Sequence, residues 1–545
     1  MHRLFPFLAW PRPNRSTLAS ELFAGITVGL MVIPQGVAYA ALAGMPLVTG
    51  IYASMLPALV AVLWSASTRL SVGPTALTCL LVASSLTGLA APGSAQWINL
   101  AVWLALLCGL LQVALGLARF GWLLNVVSSP VLMSFTQAAA VLILASQIPA
   151  LLGFQTDWTG MLTHPDVDLT AAAFGLVSLA ALILAKKFFP RLPAVVIVVL
   201  AASGWSAMTD FEAHGGKVVG ALTAGLPTLY FPQWPDWHTL GELVVPTLVI
   251  TLISFLETAS SAKVESQLGS QRWNQDQDLI GQGLAKISAG LSGCFPTSSS
   301  FSRSALNLYA GAKTGWATVV SVLVVLLTLL FFTPVLHQVP QSVLAAVVVA
   351  AIYSLLRPSA VSRLWKVSRV EALTSVATFT VTVLAAPRLY WGVIAGLLLS
   401  LGHFLYHRLH PRIIELGLHP DGTLRDRHLW HLPALAARTY ALRMDDELDF
   451  ASANAFERNI LEYLAAHPDT TRVCLFAQPV NRVDATGVEV FMKMRSQLEA
   501  RGIGLYISGI KLPVESVLRK AGALVPGPSL QLFRTDAEAL AALAL

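Results

Sequence analysis

Charged side chains are what this sequence has least of. Aspartate, glutamate, lysine and arginine make up 12% of its 545 residues, about half the usual share of a soluble domain. Whole stretches carry none, as in "TVVSVLVVLLTLLFFTPVL" at 318–336, and about twenty such residues span a bilayer. That excludes a soluble chain and describes a polytopic membrane protein whose first partner is the lipid bilayer. Cysteine is also scarce. Cys79, Cys108, Cys294 and Cys474 show neither metal-ligand spacing nor a disulfide framework, and three of them lie in or beside apolar runs as small hydrophobes. The N-terminal "MHRLFPFLAWPRPNRSTLASEL" is too polar and proline-rich for a cleaved signal peptide, so the first span is expected to be retained. No nucleophile–base pair or metal cluster is visible in the membrane region, which argues against an enzyme. The net charge of +6 calls for no nucleic acid, because cytoplasmic loops of membrane proteins gather Lys and Arg.

What is present is a run of about fourteen apolar segments, near 22–41, 48–65, 71–88, 98–117, 122–148, 169–187, 193–209, 241–261, 278–293, 297–310, 315–333, 340–356, 371–386 and 389–406. With the N-terminus and its Arg3, Arg12 and Arg15 in the cytoplasm, every second loop falls inside. Those loops carry Arg69, Arg119, "KKFFPR" (186–191), Lys263 with Arg272, Lys313, and "RPSAVSRLWKVSR" (357–369). The opposite loops, including acidic "TDWTGMLTHPDVD" (156–168), hold little basic charge, chiefly Lys217 and Arg388. This asymmetry predicts that both termini are cytoplasmic. Residues 1–21 then form a cytoplasmic N-terminal segment, 22–407 the transmembrane domain and 408–435 a linker. In 436–545 the patterning turns soluble. There "RTYALRM", "TRVCLFA" and "GLYISGI" read as strands, and "SANAFERNILEYLAAH", "GVEVFMKMRSQLEARG" and "PVESVLRKAG" as amphipathic helices. Alternation of the two predicts a small α/β domain with a mostly parallel sheet.

Two spans are short and polar. "SVGPTALT" (71–78) and "CFPTSSSFS" (294–302) each run from an extended start through a proline to a hydroxyl-bearing helix start. Neither crosses a membrane as one helix, so each is expected to be a strand to mid-membrane followed by a half-helix. They are the third and tenth spans, and a repeat of seven spans inverts the topology. Interrupted segments in corresponding positions of two inverted halves point to a transporter's binding site. Each helix start offers free N–H groups and about half a positive charge, and two such starts aimed at one point form an anion site. Arg303 adds a full charge, and Thr75, Thr78, Ser300 and Ser302 add hydroxyls. On span 8, "FLETASSAKVES" (255–266) places Glu257 inside an apolar run with Ser261 on the same helix face. An intramembrane carboxylate is a functional candidate; this one suits a sodium ion, held with Ser261, or a proton. In span 1, Gln35 and Tyr39 share a face and end in hydrogen-bonding groups.

These stretches together resemble the SulP family of sulfate permease-like anion transporters. The resemblance is carried by "IPQGVAYAALAGMPLVTGIYASMLPALVAVLWSASTRLSVGPTA" (33–76), "FLETASSAKVES", "NQDQDLIGQGLAKISAGLSGCFPTSSSFSRSALNLYAGAKTG" (274–315) and the soluble tail. It implies an all-α membrane domain of seven plus seven inverted repeats, as in uracil permeases. A core domain (spans 1–4 and 8–11) would move against a gate domain (spans 5–7 and 12–14). It further implies a homodimer in the cell membrane, a bacterial inner membrane for the prokaryotic members, and a C-terminal cytoplasmic STAS domain that meets a protein partner. By the same resemblance the anion site comprises Gln35, Tyr39, Thr75, Ala76, Ser300, Phe301, Ser302 and Arg303, and Glu257 matches the acidic coupling position. Two departures stand out: Thr49 occupies a position where the family often has tyrosine, and Ala485 replaces the serine phosphorylated in related soluble STAS proteins, leaving Thr486.

No bound cofactor is expected beyond a coupling Na+ or H+. Sulfate, bicarbonate, chloride and dicarboxylates such as fumarate all suit the donors. A nucleobase permease has no need of Arg303, and an uncoupled chloride channel has none of Glu257. Charge gives one further expectation. The half-helix ends supply about one positive charge, Arg303 adds one and Glu257 removes one. A divalent anion then leaves the site about one charge negative, and a single cation restores balance.

Overall fold

The structure is a computed structural model that describes residues 5–543, apart from 12–13, 155–166, 189–192, 223–224, 270–272, 357–358 and 526. The chain divides into two units, 1–400 and 401–545. Arg3, Arg12, Arg191, Arg272, Arg357 and most of the acidic 156–168 loop, on which the orientation argument leans, lie outside the described residues.

All fourteen segments appear, the first thirteen wholly within the first unit. Span 1 (Arg15–Leu42) starts at a reciprocal cap between Asn14 and Thr17 and is followed by a broken span 2 (Val48–Tyr52 and Leu56–Trp64). Span 3 is a strand, β1 (Val72–Gly73), and a half-helix (Ala76–Leu86). Spans 4 to 9 are Ala95–Leu117, Ser129–Leu151, Leu169–Phe188, Ala194–Met208, Trp237–Gly269 and Gln275–Leu291. Span 10 repeats the layout of span 3, with β2 (Ser298–Ser299) and a half-helix (Phe301–Tyr309). Span 11 (Trp316–Leu327) runs through a π-helical turn (Thr328–Phe332) into Thr333–His337, and spans 12 to 14 are Gln341–Ile352, Arg369–Leu384 and Tyr390–Leu409. Seven of the described helices are long and apolar enough to cross a membrane unaided. The stretch 357–369, expected as a loop, contains a short helix, Ser359–Val367, with one apolar face.

The packing obeys an inverted repeat. Several contacts recur when seven is added to each span's number. Span 1 packs on spans 3, 10 and 11, and span 8 on spans 10, 3 and 4; span 5 packs on span 13, and span 6 on span 12. Small residues permit the tightest approaches, as they do in lipid. A Cβ added to Gly109 of span 4 would sit 2.7 Å from the Gly283 carbonyl of span 9, and one added to Gly283 would meet the Gly109 carbonyl equally closely. Two buried carboxylates fasten the segment between spans 2 and 3. Asp278 accepts from Ser67 N (2.9 Å) and Oγ (2.6 Å), while Glu265 pairs with Arg69 at 3.0 Å.

The second unit is a six-stranded sheet in the order β4-β3-β5-β6-β7-β8. The strands β5 (Thr439–Met444), β6 (Arg472–Phe476), β7 (Gly504–Ser508) and β8 (Leu530–Phe533) run parallel. Helices Ala453–Ala466, Ala485–Ala500, Leu512–Lys520 and Asp536–Leu543 alternate with them. The stretch read as a linker, 408–435, contributes structure of its own: β3 (Ile413–Leu418) pairs antiparallel with both β5 and β4 (Leu424–Asp426). The reason is local. Apolar Ile414 and Leu416 alternate toward a buried face, and "HPDG" at 419–422 turns the chain back as a hairpin.

Candidate functional site

Serine and threonine compete with helix geometry through their side chains and favour helix starts, and this is how the short spans use them. Thr75 caps the half-helix of span 3 by accepting from Thr78 N at 3.3 Å, and Ser300 caps that of span 10 by accepting from Arg303 N at 3.5 Å. The two prolines are placed differently from expectation. Pro74 lies just outside the first turn, and Pro296 precedes β2 rather than the helix. Between the caps, β1 and β2 pair antiparallel, Val72 opposite Ser299 and Gly73 opposite Ser298. Non-helical backbone is tolerated at membrane depth only where its polar groups are satisfied, and this ribbon satisfies them. Ser300 N donates to Ser71 O at 2.9 Å and Ser71 N to Ser304 Oγ at 3.0 Å. Both half-helices therefore begin within two residues of one ribbon.

Beside the ribbon stands Arg303, 1% exposed. Its Nε donates to Ser71 Oγ at 3.2 Å and its Nη1 to Gln35 Oε1 at 3.5 Å. Nη2 has no hydrogen-bond partner among the described residues. Gly73 makes room for it, since a Cβ there would lie 3.4 Å from Nη2. An arginine at mid-membrane costs about 2.5–3.5 kcal/mol on insertion scales, and buried donors are seldom left unpaired. Tyr39, one turn after Gln35, is buried within the fields of Arg303 and Glu257.

Glu257 of span 8 stands at the start of the span 3 half-helix. Its Oε2 accepts from Thr75 Oγ1 at 3.1 Å and Thr78 Oγ1 at 3.3 Å. A carboxylate at a helix N-terminus offsets the positive end of the helix dipole, and both threonine hydroxyls lie within hydrogen-bond reach of it. Of the expected donors, Gln35 lies at Arg303, together with Ser71, which was not among them, whereas Thr75 and Thr78 lie at Glu257. Ala76 is the first residue of its half-helix and buried. Phe301 is 50% exposed and Ser302 also exposed, on the opposite face from Arg303. Ser261 is buried and donates to the backbone carbonyl of Glu257 at 3.2 Å, not to its carboxylate.

One residue escaped sequence reading. Lys286 of span 9 is 0% exposed and donates to Gln112 Oε1 of span 4 at 2.9 Å. Gln112 Nε2 donates in turn to Thr251 O (3.2 Å) and Ser254 Oγ (3.0 Å) of span 8, one turn before Glu257. The signal was a cation in the middle of "GLAKISAG", masked because span 9 is polar at its start.

Paired half-helices over a buried guanidinium, set within two inverted repeats, define a membrane transporter for small anions. Residues 18–378 match the sulfate permease family and 436–539 the STAS domain. The chain belongs to the sulfate permease family, and is a transporter rather than an enzyme. It is 32% identical to sulfate transporter 4.1, chloroplastic, of Arabidopsis thaliana, over 95% of this chain and 79% of that one. It is 30% identical to a probable sulfate transporter of Mycobacterium tuberculosis, over 94% and 92%. Its fold is that of the murine Slc26a9 anion transporter in the inward-facing state, with a TM-score of 0.89 at 21% identity, covering 99% of this chain and 94% of that one.

Proposed function

We propose that this chain carries a small anion of the sulfate class across the membrane by alternating access, coupled to an inward gradient of protons or sodium. The observation that supports the anion most strongly is Arg303, whose burial leaves Nη2 without a partner. A divalent oxyanion offers the charge and the acceptors that this group lacks. In this reading Arg303, Gln35 and Tyr39 hold the anion from one side. The N–H groups at Ala76 and Phe301 and the hydroxyls of Thr75, Ser300 and Ser302 complete the shell. Glu257 is the coupling position, with Ser261 beside it, and is where a sodium ion would bind if sodium is the coupling ion. Two copies pair in a bacterial inner membrane, both termini face the cytoplasm, and the STAS domain meets a cytoplasmic protein there. The name "sulfate transporter" borne by both relatives favours sulfate over bicarbonate, chloride or a dicarboxylate.

Uptake into proteoliposomes tests the proposal, using labelled sulfate, bicarbonate, chloride, fumarate and uracil, with and without pH and sodium gradients. Saturable sulfate uptake is expected. Transport of uracil alone would replace the reading with a nucleobase permease.

A further inference from the structure

Lys286 is buried in the core of the membrane domain, yet the anion site as derived from Arg303 and Glu257 makes no use of it. An ammonium has three donors. Among the described residues Lys286 uses one of them, on the neutral amide of Gln112 at 2.9 Å, and it forms no ion pair. Gln112 ties it to Thr251 and Ser254 of span 8, and Glu257 follows one turn later. The titratable groups that face Lys286 are Cys108 on span 4 and Glu257 on span 8. The second half of span 2 (Leu56–Trp64) and the connector Gly121–Val126, which also pack on span 9, bring none.

This changes the charge balance of the site. With Lys286 protonated, the half-helix ends, Arg303 and Lys286 outweigh Glu257 by about two charges, which a divalent anion cancels without a second ion. With the anion gone, that excess is uncompensated in a low-dielectric interior, where like charges repel strongly. Arg303 holds its proton under all conditions, whereas a buried lysine gives its proton up readily. Lys286 is therefore the group that adjusts.

Resting on the reading of this chain as a coupled anion transporter, we infer that Lys286 is a resident cation in place of sodium, and that its proton is the coupling ion. The loaded carrier holds the ammonium. When the anion leaves, the Nζ–H bond breaks, the proton goes to water on the side of release, and the neutral amine retains the electron pair. The empty carrier then returns uncharged at Lys286. Glu257 sets this balance: without its carboxylate the half-helices and Arg303 alone match a divalent anion, and Lys286 has no reason to take up a proton.

The test uses the purified full chain in proteoliposomes with labelled sulfate and the membrane potential clamped at zero. Wild type should accumulate sulfate roughly ten-fold for about one unit of inward pH gradient, with sodium absent, and a sodium gradient should drive none. Lys286→Arg keeps the charge but does not release a proton; it should lose accumulation while sulfate–sulfate exchange continues. Lys286→Gln should likewise fail to accumulate. Sodium-driven accumulation by wild type overturns the inference without any variant. Proton-driven accumulation by Lys286→Arg assigns the proton to Glu257 and overturns it as well. If wild type carries none of sulfate, bicarbonate, chloride or fumarate, the transport reading itself falls, and this inference with it.

Discussion

Arg303 and Glu257 both stand beside one short ribbon, and their hydrogen-bond partners differ. Arg303 has two polar neighbours and one empty donor group. Glu257 has both threonine hydroxyls of the span 3 half-helix. Replacing Arg303 by alanine removes a full charge from a site that the half-helix dipoles alone support weakly. Arg303→Ala is expected to raise the dissociation constant for sulfate at least about ten-fold, a loss of about 1.4 kcal/mol, while leaving expression near normal; calorimetry on purified protein checks this. Glu257→Gln keeps the size and acceptor oxygen but not the charge. It is expected to abolish dependence on the cation gradient while exchange survives, and accumulation by Glu257→Gln under an imposed gradient would remove Glu257 from the coupling role. Away from the site, Gly50 of span 2 lies against the Gly36 carbonyl of span 1, with no space for a Cβ. Gly50→Val should cost about 1–3 kcal/mol through overpacking, seen as a lower Tm in detergent.

At the scale of elements, the two short strands and their half-helices were legible in the sequence, whereas the antiparallel pairing of the strands was not. Proline followed by serine and threonine in a run too short to span is a pattern with few other physical meanings. The destination of the hydroxyls was not legible. Thr75 and Thr78 read as anion donors; that they also lie within reach of Glu257 on span 8 is a contact across 182 and 179 residues that no local pattern encodes. Lys286 was hidden for a related reason, because its significance depends on Gln112 and span 4. In the soluble unit three helices and three parallel strands followed from periodicity, whereas β8, the helix Asp536–Leu543, β3 and β4 did not; β3 and β4, three- to six-residue strands across a turn, resemble a polar linker. Their pairing has a consequence for truncation. Ending the chain after Leu409 removes the sheet as a unit and should leave anion binding intact. Ending it at residue 435 strips β3 of β5 and exposes a strand edge, so that protein should aggregate, as size-exclusion chromatography would show. Within the sheet, burial pushes the Cys474 thiol up to about 12. Native protein should therefore resist alkylation there at pH 8, with modification appearing only on unfolding.

At the scale of the whole molecule, the contacts of span 1 with spans 3, 10 and 11 recur, shifted by seven, as those of span 8 with spans 10, 3 and 4. In the proposed reading, two inverted halves exchange conformations and give a midplane site access to either side in turn. The sheet unit lies outside this symmetry, so its influence is expected on rate or partner control rather than on anion affinity. The account rests on a small anion held at Arg303. The most direct measurement is concentration-dependent uptake of labelled sulfate into proteoliposomes by wild type and Arg303→Ala, reconstituted at equal density under the same pH gradient. Saturable uptake by wild type, with a half-saturating concentration at least about ten-fold higher in the variant, is the predicted result. Equal half-saturation in the two proteins, or no sulfate uptake by wild type, would contradict it.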